Sequence, residues 1–192
     1  IAYWVSRNLL NTFNSKANIA TESYPKFGMS NGDGNLYVRQ WSEVSNDKKR
    51  TKWFPYDKGG AFRRWYGNRD YYVDWENDGY KIKNNPKAAV RNHNFFFLPH
   101  FSWTLVSSGK FSSRSFNNEF ILDTASNCIY FKNNKTDEFL LAFLNTKVCQ
   151  EYLSLINPTI NNSCGVVGQC PIIYGNKELI IQIVKNNISI SR

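Results

Sequence analysis

At 192 residues the chain is long enough for one domain, or one domain with an appendage, and for a core that needs no disulfide or metal staples. Lys and Arg outnumber Asp and Glu by 24 to 15, a net charge of +9 that favours an anionic partner, with DNA or RNA ahead of a membrane surface. No apolar run reaches the roughly 18 residues of a membrane span and no secretory leader is visible, so a cytoplasmic setting is expected.

In chain order, residues 2–14 place Tyr3, Trp4, Leu9, Leu10 and Phe13 on one broad helical face and predict a short helix. Gly28–Asn35 reads as a Gly/Asn/Asp loop, followed by a strand over Leu36–Val44. Thr51–Tyr56, Ala61–Trp65 and Tyr71–Trp75 read as strands, the last two joined by Gly67-Asn68 in a hairpin. Asn77–Asn84 suits a short helix or a turn. Thr104–Ser108, Phe111–Phe116 and Phe120–Ala125 are expected strands. A long helix is expected over Lys135–Ile156, capped by Thr136 and ended by Pro158. Residues 159–172 read as irregular, and Lys177–Ile188 as a helix, although its β-branched residues also allow a strand. Strands and helices in this order predict a mixed α/β fold, a twisted mixed or antiparallel sheet with a few helices.

The chemistry concentrates in Lys52–Asn68, where cations alternate with flat rings around Gly59-Gly60. Lys and Arg neutralise phosphates, Trp and Tyr offer stacking faces, and glycines permit close backbone approach. Lys110-Phe-Ser-Ser-Arg114 carries two cations and two hydroxyls; if extended, Lys110, Ser112 and Arg114 project on one face. Asp74, Glu76 and Asp78 have no EF-hand spacing and read as a polar turn paired with the basic block. Gly28–Asn35 lacks the Lys-Ser/Thr helix start of a phosphate loop and reads as a plain turn. Cys128, Cys149, Cys164 and Cys170 form no CxxC pair and read as reduced thiols, and His93 and His100 as structural, so no metal is expected. No Walker A, GxGxxG, GxSxG or HExxH motif is present, and no catalytic residue is assigned.

The run Lys52–Asn68, followed by Tyr72-Val-Asp-Trp-Glu-Asn-Asp-Gly79, resembles the specificity region of the BREX-type PglX adenine-specific DNA methyltransferases of phage-defence systems. Ile1–Ser6 resembles the junction after the catalytic domain. Gly28–Asp33 with Trp41–Val44 resembles the opening of the target recognition domain, and Leu155–Asn161 with Pro171-Ile172 its close. Order and spacing agree over roughly residues 1–175. Asp123–Ile129 is less glycine-rich than the corresponding family segment, and Asn162–Cys164 replaces a more apolar stretch.

This resemblance implies a fold like the specificity domains of methyltransferases and type I restriction systems. Residues 1–175 would form the DNA target recognition domain, and 176–192 a helical extension leading into the next segment of a longer chain. The S-adenosylmethionine pocket and the catalytic motif would lie in an upstream domain, so the segment itself holds no cofactor. Its expected partners are double-stranded DNA, that upstream domain and other defence-system proteins. Expected backbone contacts are Lys58, Gly59, Gly60, Arg63, Arg64 and Lys110, with Ser112, Arg114 and Asn117 for base readout. Lys87–Asn94 is a further polar stretch suited to base readout. The alternative is an interaction module that docks the parent methyltransferase domain or other defence proteins.

Overall fold

The strand Ser126–Phe131 is buried at every residue, and the fold is built around it. The computed structural model describes residues 5–132 and 136–192. In chain order its elements are α1 (Arg7–Thr12), α2 (Ile19–Glu22), β1 (Ser23–Phe27), α3 (Gly34–Tyr37), β2 (Val38–Gln40), β3 (Trp53–Asp57), β4 (Tyr71–Asp74), α4 (Glu76–Lys83), β5 (His100–Thr104), β6 (Ser113–Phe116), β7 (Ile121–Leu122), β8 (Ser126–Phe131), α5 (Glu138–Leu144), α6 (Lys147–Ile156), α7 (Cys164–Gly168) and α8 (Lys177–Ile190). Short 3-10 turns follow β2 and precede β3 and β5. No helix among the described residues is long and apolar enough to cross a membrane.

The mixed α/β architecture is the expected one, with the strands divided between two four-stranded sheets. The first has the order β1-β8-β5-β6 and is antiparallel throughout. The second has the order β2-β4-β3-β7, in which only β3 and β7 run parallel. Alternation along the first sheet separates its two faces. Phe101, Trp103, Ile129 and Phe131 join Leu140, Leu144, Tyr152 and Val184 in one core under the helices. Cys128 and Tyr130 point the other way and join Tyr56, Val73, Ile121 and Leu122 in a second core against the second sheet. The layers are therefore helices, first sheet, second sheet.

Gly28, just after β1, shows how closely the sheets approach. A Cβ there would lie 1.9 Å from the Leu122 carbonyl oxygen, a backbone atom that already accepts the Met29 N–H at 2.9 Å. Gly28→Ala is expected to cost about 3 kcal/mol or to prevent folding, because β7 must shift to admit one methyl. A urea unfolding midpoint checks it.

Several predicted elements shift. The expected Lys135–Ile156 helix is two helices; Lys135 lies outside the described residues. Asp137, not Thr136, caps α5, its Oδ1 accepting the Phe139 N–H at 3.2 Å. The break falls at Asn145, whose side chain accepts the Ser113 N–H at 3.0 Å and donates to the Ser113 carbonyl at 2.9 Å. A short amide that pairs with a strand competes with helix hydrogen bonding. Thr146 then caps α6 through the Cys149 N–H. The opening helix is confined to Arg7–Thr12, capped by Ser6; Tyr3 and Trp4 lie outside the described residues.

Leu36–Val44 keeps only three strand residues, because Asp33 caps α3 by accepting the Asn35 and Leu36 N–H groups. Ala61–Trp65 is not a strand: β4 pairs with β3 instead. β5 lies earlier than Thr104–Ser108, β6 starts at Ser113, and Phe120–Ala125 shrinks to β7. Asn77, Asp78 and Gly79 form a left-handed turn at the start of α4, and the acids in and beside it pair with lysines: Lys81 with Glu76 at 3.0 Å and Asp74 at 3.3 Å, Lys83 with Asp78 at 2.5 Å. The tail is helical, and Val184 of α8 is buried in the helical core.

Candidate nucleic-acid interface

β3 and β4 are adjacent and antiparallel, yet residues 58–70 separate them where two would suffice. This excursion is tied down along its length. Asp57 Oδ1 accepts the Gly59 N–H at 3.3 Å. Gly59 and Gly60 have φ of +72° and +128°, which side chains resist, and a Cβ on Gly59 would lie 3.0 Å from the Ala125 carbonyl oxygen. The Thr104 hydroxyl donates to the Gly60 carbonyl at 2.8 Å and accepts the Gly60 N–H at 3.1 Å. Farther on, the Trp65 N–H donates to Ser113 and the Trp65 carbonyl accepts from Ser115, which covers the edge of β6. The Asn68 side-chain amide closes the loop on the Ala61 carbonyl at 2.9 Å.

Two further loops meet this one. The Trp103 indole donates to the Asn162 carbonyl, the Asn162 N–H to Leu105, and the Ser107 N–H to Ile160. Gly60, Thr104, Lys110, Ser112 and Asn162 thereby surround one small recess. Four of the sequence-predicted site residues, Gly59, Gly60, Lys110 and Ser112, belong to this cluster of loops. Arg63 is exposed on the same excursion, and Arg64 lies over the Phe62 ring at 5.4 Å. Lys58 turns to the other side, over the Tyr71 ring at 4.9 Å, where it borders a groove of about 540 Å³ shared with Arg39 and Gln40.

Arg114 and Asn117 are placed elsewhere. Arg114 does share a face with Ser112, but that face is covered by the second sheet. Its guanidinium is fully buried, donates to Thr104 Oγ1 at 3.3 Å and sits in the field of Asp57. In this position it joins the sheets and cannot meet a base edge. Asn117 follows the far end of β6, hydrogen-bonds Glu119, and lines a separate cleft of about 700 Å³ with Arg69, Lys185 and Arg192. Within the polar stretch Lys87–Asn94, the Asn92 side chain is held by the Phe27 carbonyl at 2.9 Å, while Lys87, Arg91, His93 and Asn94 are exposed.

Beneath the loop cluster lies a buried polar group: Asp57, His100, Ser102 and Arg114 are all 0% exposed. The His100 Nε2 faces Asp57 Oδ2 at 3.4 Å, its Nδ1 faces the Leu98 carbonyl at 2.9 Å, and its ring stacks on Phe116. Burial pushes the Asp57 carboxyl up, but His100 facing it and the Arg114 charge together hold it below the ordinary carboxylate value. Asp57 thus stabilises the fold above its unfolded value of about 4, and that contribution is lost as pH falls through the depressed value.

Asp123, next to β7, behaves oppositely. Burial raises its carboxyl despite hydrogen bonds from Tyr56 and the Ala125 N–H. It favours the fold below about pH 4 and loses that contribution as pH rises through the raised value. Asp123→Asn, which keeps an acceptor for Ala125, is therefore expected to gain stability relative to the parent between about pH 3 and 7. Thermal melts at both ends of that range test the sign.

The outer face of the second sheet carries cations that local sequence does not bring together. There Arg39, Tyr72 and Pro55 are cross-strand neighbours. Arg39 and Lys52 lie over Trp53 at 5.6 and 5.4 Å, and Lys49 over Tyr72 at 5.7 Å. Only the pairing of β2 with β4 brings Arg39 to that face. Among the described residues no group of three or more His, Cys, Asp or Glu side chains is placed to hold a metal.

No protein-family model matches the chain. Over its whole length it is 34% identical to the adenine-specific methyltransferase BrxX of Escherichia coli O9:H4 (strain HS). It is 33% identical, again over its whole length, to the adenine-specific methyltransferase PglX of Lacticaseibacillus casei (strain Zhang). The chain spans 16% and 18% of the lengths of these two relatives.

Proposed function

Because the chain belongs to the BREX PglX-type adenine-specific methyltransferases, corresponding to one segment of them, we propose that it is the segment that grips and reads duplex DNA for the intact protein. The observation that carries this reading is the meeting of three loops around Gly60, with Arg63 and Lys110 exposed on the same assembly and Lys58 turned to the groove on its other side. Exposed cations on a braced backbone suit phosphate contacts, which fix register without reading sequence. Lys58, Gly59, Gly60, Arg63, Arg64 and Lys110 supply that grip. Asn117, in its own cleft, is the polar group left for base edges, because Ser112 is only 7% exposed behind the recess. S-adenosylmethionine and the catalytic motif belong to other parts of the intact protein, which must extrude the adenine from the stack to methylate it.

Exchange of this segment between the intact protein and its PglX relative tests the reading. The sequence context of methylated adenines, mapped in cellular DNA, should follow the segment. A context that stays with the remainder of the protein sinks it.

A second reading rests on α8. Leu179, Ile183 and Ile190 are 53%, 49% and 84% exposed on the side of the helix away from Val184. Such a stripe suits docking against the parent methyltransferase domain or another defence-system protein. Leu179→Ser with Ile183→Ser would then weaken assembly and leave the methylated sequence unchanged.

A further inference from the structure

The rings of the cation-rich block do not share one fate. Trp65 packs on the helical core, and Tyr66 lies under the Arg69 guanidinium at 4.2 Å. Phe62 alone among the rings of the 58–70 excursion is left more than half exposed, at 52%. It stands on the part of the loop enclosed by the Asn68 to Ala61 hydrogen bond and the Gly60 to Thr104 pair, so its position is braced from both sides. Holding an apolar ring in water is unfavourable, and so is the left-handed backbone of Trp65 on this loop. The recess at its base measures about 10 Å³, room for no more than a water molecule. The loop is therefore a protrusion with an apolar tip, and it has no pocket that receives a base. Its flanks are cationic: Arg63 is exposed, and Arg64 lies over the ring.

We propose that Phe62 inserts into the base stack of duplex DNA and helps hold the target adenine outside it. The inference rests on the DNA-gripping reading above. A flat ring entering between base pairs replaces lost stacking, while adjacent arginines neutralise the phosphates that the opened step brings near. Extrusion requires unpairing and unstacking, so a group that fills the vacated space lowers its cost.

The test uses the intact protein and a duplex bearing its mapped methylation site. In one version 2-aminopurine replaces the target adenine, and in another the adenine is mismatched so that unpairing is already complete. The parent protein is expected to raise 2-aminopurine fluorescence on binding. Phe62→Ala should lose that rise and methylate the paired duplex about 10- to 100-fold more slowly, the scale of one missing base–ring stack. Phe62→Trp should retain both, and the mismatched duplex should restore most of the Phe62→Ala rate. Because Phe62 is exposed, unchanged unfolding midpoints are expected for both variants. Equal losses on paired and mismatched duplexes would make the ring an ordinary contact and overturn the proposal. So would parental behaviour of Phe62→Ala, or its failure only in binding another protein. If the parent protein itself fails to bind duplex DNA, the gripping reading fails, and insertion falls with it.

Discussion

Arg114→Met is expected to destabilise the fold by about 3–5 kcal/mol, measured as a shift of the urea midpoint followed by tryptophan fluorescence. The magnitude comes from what is left behind. Arg114 is the buried cation whose field helps hold the Asp57 carboxyl ionised, and both side chains are fully enclosed between the sheets. Removing the guanidinium leaves that carboxylate with His100 and the Gly59 N–H but no buried cation beside it, and also frees the Thr104 hydroxyl from a donor. Because the same hydroxyl secures both the N–H and the carbonyl of Gly60, the damage should extend to the loop cluster. Adding Asp57→Asn should recover much of the loss, since the buried charge is then removed along with its partner. Asn117→Ala, at an exposed site beyond β6, should change stability by less than about 0.5 kcal/mol. A base-reading Arg114 would instead show normal stability with altered methylation sequence, so the two roles separate cleanly.

Reversing three charges together, Lys58→Glu, Arg63→Glu and Lys110→Glu, is expected to weaken duplex binding by the intact protein on the order of 1,000-fold at low salt. The slope of log affinity against log salt should flatten by about three, one for each phosphate that is no longer neutralised. None of these side chains has an ion-pair partner among the described residues, and Arg63 and Lys110 are exposed, so the fold should tolerate the changes. Reversal of Lys147, exposed at the start of α6 in the helical layer, controls for a charge reversal away from the loop cluster and should have a small effect on the slope. Titrations by fluorescence anisotropy between about 50 and 200 mM salt give both numbers. An unchanged slope in the triple variant would show that the loop cluster does not meet phosphates.

His100 illustrates a residue whose role could be read only halfway. Its lone position among aromatics marks it as structural, and the structure places it stacked on Phe116 and facing Asp57. Nothing local in the sequence joins Asp57 to His100 and Arg114, because the three lie on β3, β5 and β6 and meet only when the two sheets stack. The same limit explains the missed strand β8. Ser126 and Asn127 are polar, yet each is buried: Ser126 donates to the Trp103 carbonyl, and Asn127 accepts the Cys164 N–H. Partners distant in the chain made those polar residues compatible with a central strand.

The family follows from the amino-acid order alone, through motifs arranged from Ile1 to Ile172, and so does the mixed α/β class, through alternating apolar patterns. The Tyr71 strand follows as well, where period and turn residues agree, as does the concentration of cations and rings between Lys52 and Arg69, whereas the β-branched residues of Lys177–Ile188 left helix and strand both open. Three matters were fixed only by folding: that the strands form two sheets, that Arg114 faces inward while Lys110 faces out, and that Gly60, Lys110, Ser112 and Asn162 share one recess. The difference lies in what a strand's pattern can encode. Its alternation reveals that two faces exist, but which face another layer covers depends on pairings between residues tens of positions apart.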